Sequence, residues 1–211
     1  MIHSYKYSII FKTAVLYSAA LAIVLRCGLP GEGFWYGPFS TYGMISGLMT
    51  AVYYALSLLI TSGKGNGVWC PSLKFMTLIS AILVSTVVHF MLGSQYAGAG
   101  GTYRLALQLL HTVIPVGLLL DWLLFDAHGV LRVYDPLLAL IPPAIYGLLV
   151  LFGWRVGMGI TVHYWFLNTA NLGTPTAVLI LLGLGAGIVA VGYLFYFLDR
   201  IMSRATRTRR R

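Results

Sequence analysis

Acidic side chains are nearly missing from this chain. Five Asp and Glu stand among 211 residues, and charged residues of both signs make up only 9%. With 59% of the residues hydrophobic, so few carboxylates exclude an ordinary water-soluble domain of this size. Cysteine is equally scarce. Cys27 and Cys70 follow the first and second apolar segments, which puts them on opposite sides of a membrane and argues against a disulfide within one chain. No A-x-A-like site follows the first apolar run, so a cleaved signal peptide is not expected. There is no internal repeat and no relay of ionisable groups from one span to the next. An ion-coupled transporter needs such a relay, and the paired inverted repeats common in transporters are also missing.

What the sequence does contain is apolar blocks. Six can be drawn, running from about Tyr7 to Leu25, Pro38 to Ile60, Leu73 to Gly93, Thr102 to Phe125, Val133 to Phe152 and Thr174 to Leu198. Each approaches the roughly 20 residues that a helix needs to cross a bilayer. Pro142-Pro143 interrupts the fifth. Six spans return the chain to the side on which it started. The positive charges select that side: eleven (Lys6, Lys12, Lys64, Lys74, Arg132 and six tail arginines) against three (Arg26, Arg104, Arg155). The expected fold is therefore all-α, an integral membrane bundle of six transmembrane helices over 1–199 with both termini cytoplasmic. A polybasic tail over 200–211 follows it, and the setting is the cell (plasma) membrane. Lys12 is expected to snorkel to the headgroups, and Asp126, His3 and His128 to be solvated.

The net charge of +9 does not point to nucleic acid. Arg200, Arg204, Arg207, Arg209, Arg210 and Arg211 follow the last span, where a basic run attracts anionic lipid headgroups at about 1 kcal/mol per residue. Gly183 and Gly187 form a small-xxx-small face suited to close helix packing. Aromatic residues gather in the outer loops, notably His163-Tyr164-Trp165-Phe166. Such a cluster marks either an interfacial belt or the wall of an apolar site.

The fourth block carries the chemistry. His111 and Asp121 lie inside it, and ionisable groups at membrane depth point to function. Pro115 lacks an N–H, and its ring clashes with the carbonyl four residues back, which belongs to His111, so the helix should be distorted where the imidazole sits. Gln108, Thr112 and Trp122 fall near the His111 face, while Asp121 lies roughly 15 Å further along. Two hydroxyls of the second span, Thr41 and Ser46, enter the membrane from the same side as His111. A hydroxyl beside an imidazole is the minimum for nucleophilic catalysis, although membrane Ser and Thr also commonly bond backbone or neighbouring helices. His89, His111 and His163 all fall in the outer half. They come from three separate elements with no i,i+4 pair and no neighbouring Cys, so neither a metal nor another cofactor is expected.

His111-Thr112-Val113-Ile114-Pro115, followed by Asp121-Trp122-Leu123-Leu124-Phe125 and then Asp135, Pro136, Pro143 and Tyr146, resembles the Pr6Pr family of bacterial membrane proteins. It is also similar to the wider FAR-17a and androgen-induced group. The resemblance implies six membrane helices. Through the eukaryotic relatives, it also implies hydrolysis of fatty acid esters of hydroxy fatty acids by a membrane Thr and a later His, here His111. An ungapped match on Ile45-Ser46-Gly47 puts Gly43 at the nucleophile position; a two-residue shift puts Thr41 there. Two functions are carried forward. One is a lipid-ester hydrolase with His111 as base and Thr41 or Ser46 as nucleophile, and with Gln108, Asp121, Trp122, His89, His163 and Tyr164 around the site. The other is a non-catalytic protein that binds a lipid or other apolar ligand in an outer-half pocket.

Overall fold

The computed structural model describes residues 5–28, 37–61, 68–93, 98, 100–153 and 164–208. Six of its helices are long and apolar enough to cross a membrane, so the chain is a multi-pass helical membrane protein. They are α1 (Tyr5–Arg26), α2 (Tyr42–Thr61), α3 (Pro71–Leu92), α4 (Gly101–Phe125), α5 (Asp135–Phe152) and α6 (Thr174–Thr208). No strand occurs among the described residues.

Local sequence explains the irregularities. A 3-10 turn, Gly37–Ser40, takes up Pro38 before α2 begins. The Thr41 hydroxyl then accepts the Met44 N–H (3.4 Å), an N-cap arrangement. Pro71 stands in the first turn of α3, where its missing N–H leaves no bond unmade. In α4 the distortion expected at Pro115 takes the form of a π turn, Leu109–Val113, in which the Ile114 N–H reaches back to the Leu109 carbonyl. The extra residue absorbs the bond that proline cannot make. A second π turn, Val88–Leu92, ends α3 with no proline to cause it. α5 breaks at Ala139–Leu140, so that Pro142 and Pro143 fall in the first turn of Ile141–Gly153.

α1 to α4 form the core. Ser8, Lys12, Val15, Ala19 and Ala22 make one helical stripe on α1. It packs against Met44, Tyr53 and Tyr54 of α2, Leu78 and Ala81 of α3, and Ile114 and Leu118 of α4. Lipid tails are as apolar as these side chains, so close packing and polar contacts hold such a core rather than transfer from water. α6 is the least covered span. Only 11% of its most apolar window is buried; it touches α5 at Pro136 and Gly147, and a groove of about 900 Å³ lined by Pro143, Gly147, Leu181 and Gly185 runs between the two. Among the described residues Gly183 and Gly187 meet nothing within 4 Å, so the close-packing role expected of them is not realised there.

Ring contacts Phe11–Phe125 and Trp122–Phe195 bring the start of α1, the end of α4 and the later part of α6 to one end of the bundle, the tail end. Arg26 lies over the Tyr103 ring at the other, the His111 end. Three surface expectations fail at the tail end. Lys12 is 6% exposed and Asp126 3% exposed, and the His128 side chain is 1% exposed with Nδ1 3.2 Å from Asp199. They are buried because countercharges meet them there. His3 lies outside the described residues.

Candidate functional site

The π turn of α4 places His111 in the interior at 7% exposure. One side of the imidazole is closed by backbone. A Cβ built on Gly43 would lie 2.8 Å from His111 Cε1 and 3.7 Å from Nε2, and one built on Gly47 would lie 2.7 Å from Leu110 Cδ2. Gly43-x-x-x-Gly47 is thus the stripe on which α2 and α4 approach, and a Cβ at either position would push the His111 or Leu110 side chain aside. Tyrosines hold the start of α2 in place. The Tyr42 hydroxyl donates to Ser80 (2.9 Å), the Tyr146 hydroxyl donates to the Ser40 carbonyl (3.0 Å), and the Tyr164 hydroxyl accepts the Tyr42 N–H (3.1 Å).

This geometry orders the expected nucleophiles. Gly43, not Thr41, faces the imidazole. Thr41 donates its hydroxyl to the Pro38 carbonyl (2.8 Å); two residues from Gly43, it projects about 160° away around the helix. Ser46 is buried, one turn past Gly43 and about 60° around from it. Its carbonyl accepts the Thr50 hydroxyl (2.9 Å).

The other side of His111 opens on a cavity of about 230 Å³, lined by Val88, His89, Gly93, Arg104, Leu107, Gln108, His111 and Thr112. His89 and Gln108, both expected near His111, are there. Arg104 and Thr112 line it too, although neither was singled out as a functional candidate. His89 and His111 sit in the two π turns, a distortion frequent at functional sites. His89 Nδ1 lies 2.8 Å from the Ser85 carbonyl, an acceptor, so that nitrogen carries the proton and Nε2 is left to accept. The Thr112 hydroxyl stands 3.5 Å from Nε2.

Other expected members lie elsewhere. Tyr164 packs against Tyr146 and Phe166 around a small apolar space of about 50 Å³ on the α5 side. Trp122 packs on His128 and Phe195 at the tail end. His163 lies outside the described residues. Among the described residues no group of three His, Cys, Asp or Glu is placed to hold a metal.

Asp121 belongs to a second polar centre at the tail end. It pairs with Lys74 and accepts the Tyr54 hydroxyl (2.8 Å), and Lys74 Nζ also reaches Asp126 Oδ1 at 2.6 Å. Lys12, buried on α1, completes a set of two cations and two carboxylates. Burial pushes the Asp126 carboxyl up to about 6, with Lys74 pulling the other way. Nearby, Asp199 of α6 accepts the backbone N–H groups of Gly129 (2.9 Å) and Leu131 (3.2 Å), fastening the loop after α4. The signal for this centre was a count: two lysines and two aspartates near one membrane face must find each other if none reaches water.

Compared with family models, with curated proteins and with solved structures, the chain matches none.

Proposed function

We propose that this protein binds an amphiphilic lipid, with the lipid's polar group in the cavity beside His111. The observation that carries this reading is the convergence of His89, His111, Gln108, Thr112 and Arg104 on one open space of about 230 Å³ between two spans, with His111 buried and the other four exposed. Groups of this kind are costly inside a bilayer unless a partner meets them. Phe90 is 86% exposed and Val113 46%. His89, Gln108 and Thr112 in the lining are exposed as well, so the mouth opens on the outside of the bundle, beside acyl chains. Gly43 against the imidazole favours binding over catalysis, because it brings no hydroxyl to His111. Native mass spectrometry of the purified protein tests the reading. One retained lipid per chain is expected, with its loss in His89→Ala/Arg104→Ala; no retained or added lipid in the unsubstituted protein would overturn it.

A second reading, lipid-ester hydrolysis, is favoured by the contact between Thr112 and His89. In it the Thr112 oxygen attacks the ester carbonyl while His89 Nε2 takes its proton; the C–O bond to the alcohol then breaks, the alcohol leaves with that proton, and water, deprotonated by the same nitrogen, cleaves the acyl-threonine, with the Ser85 carbonyl holding the ring. The assignment from family resemblance uses His111 with Thr41 or Ser46 instead. Turnover of a long-chain ester by the wild type, lost in Thr112→Val but kept in Thr41→Val and Ser46→Ala, supports the first assignment; the converse pattern supports the second. No turnover by the wild type ends both.

Both termini are assigned to the cytoplasm and the protein to the plasma membrane. Lys12 and Lys74 are balanced by Asp121 and Asp126, so the charge bias rests on Lys6, Lys64, Arg132 and the tail arginines. The same arginines would attract anionic headgroups.

A further inference from the structure

We infer that the polar group taken by the His111 cavity is an anion, a phosphate or carboxylate, and that Arg104 is its principal partner. This rests on the lipid-binding reading and narrows it. The support is the distribution of charge. The four described carboxylates, Asp121, Asp126, Asp135 and Asp199, are all buried around the tail end, engaged with Lys74, with the Arg132 N–H or with the loop at 128–131. The fifth acidic residue, Glu32, lies outside the described residues. At the His111 end stand Arg26, Arg104, His89 and His111, and Arg26 and His89 are the charged or titratable groups that act on His111. Among the described residues no carboxylate faces them.

The lining supplies donors suited to an anion. Arg104 offers the planar fork that matches carboxylate and phosphate oxygens. Gln108 has an amide N–H₂, and Thr112 a hydroxyl that can turn from His89 to the ligand. Among the described residues no carboxylate stands beside the exposed Arg104 side chain, so an anionic group would supply its countercharge. About 230 Å³ is room for one such group with some water rather than for an entire lipid, so the chains would lie outside, along the exposed apolar surface at Phe90 and Val113.

The test uses the full chain in neutral detergent, with Arg207, Arg209, Arg210 and Arg211 replaced by Gln so that the tail does not compete for anions. Phosphatidylglycerol and diacylglycerol with identical chains are titrated by native mass spectrometry, with and without inorganic phosphate. Phosphatidylglycerol is expected to bind about tenfold more tightly, the loss that one charge-assisted hydrogen bond carries. Arg104→Ala should erase that preference by weakening phosphatidylglycerol binding about tenfold, and Arg104→Lys should restore part of it. Competition by millimolar phosphate would keep the anion site but assign it to a soluble anion; no competition assigns it to the lipid. Equal binding of both lipids, unaltered by Arg104→Ala, overturns this inference and leaves the lipid reading standing. Binding of neither lipid overturns both. Unchanged thermal midpoints of the Arg104 variants exclude a folding defect.

Discussion

Replacing Asp121 with Ala should be among the most damaging single changes in the bundle. The carboxylate is fully buried, pairs with Lys74 and accepts the Tyr54 hydroxyl. Lys12, Lys74, Asp121 and Asp126 sum to zero charge; without Asp121 the set carries one uncompensated buried cation. Removing one partner of a buried pair costs about 3–5 kcal/mol, a large share of the roughly 5–15 kcal/mol that folded proteins have. At about 2–4 °C per kcal/mol for a chain of this size, the thermal midpoint in detergent should fall by about 6–20 °C. Size-exclusion chromatography after a heating series reads this directly. Lys74→Met/Asp121→Leu should recover most of the loss, since Lys12 and Asp126 still balance. A residual of about 1–3 kcal/mol would reflect the orphaned Tyr54 hydroxyl. The reasoning fails if Asp121→Ala shifts the midpoint by less than about 2 °C, or if the double variant is no better than the single one.

Gly43→Ala should cost about 1–3 kcal/mol, because its Cβ would press on the His111 ring at 2.8 Å; Gly183→Ala, which meets nothing within 4 Å, should cost nothing measurable in the same melting assay. Asp126 makes stability depend on pH. Its folded-state value of about 6 lies above the ordinary 3.8, so the folded protein holds that proton more tightly, and the group's contribution falls as pH rises between those two values. Asp126→Asn should flatten that part of a midpoint-against-pH curve. Asp199→Ala leaves the Gly129 and Leu131 N–H groups without their carboxylate and should lower the midpoint while speeding proteolysis of the loop at 126–132.

The six spans were legible because long apolar runs leave a chain few choices at a membrane. The distortion at His111 was legible too, because Pro115 fixes which bond is missing. The matching π turn at His89 was not, since Val88-His89-Phe90-Met91-Leu92 contains no helix breaker. Glycine pairs expose another limit. Gly43/Gly47 and Gly183/Gly187 share one spacing, yet only the first pair is covered by a neighbouring helix, and the spacing does not say which helix approaches. Lys12 was misjudged for a related reason. A lysine at the eighth residue of α1 is long enough to reach headgroups, and it is buried because Asp121 and Asp126 arrive from the end of α4 and the residue after it. The sequence-based choice between Thr41 and Gly43 turned on a two-residue register, which depended on where α2 begins. The 3-10 turn at Gly37–Ser40 sets that start.

The central claim is that the cavity bounded by the two π turns holds the lipid's polar group. A phospholipid with a photoreactive group on its head, irradiated with the reconstituted protein and mapped by peptide, tests it most directly. The account predicts labelling within Val88–Gly93 of α3 and Arg104–Thr112 of α4, lost when unlabelled lipid is added in excess. Labelling confined to the α5–α6 groove or to the arginine tail would contradict it.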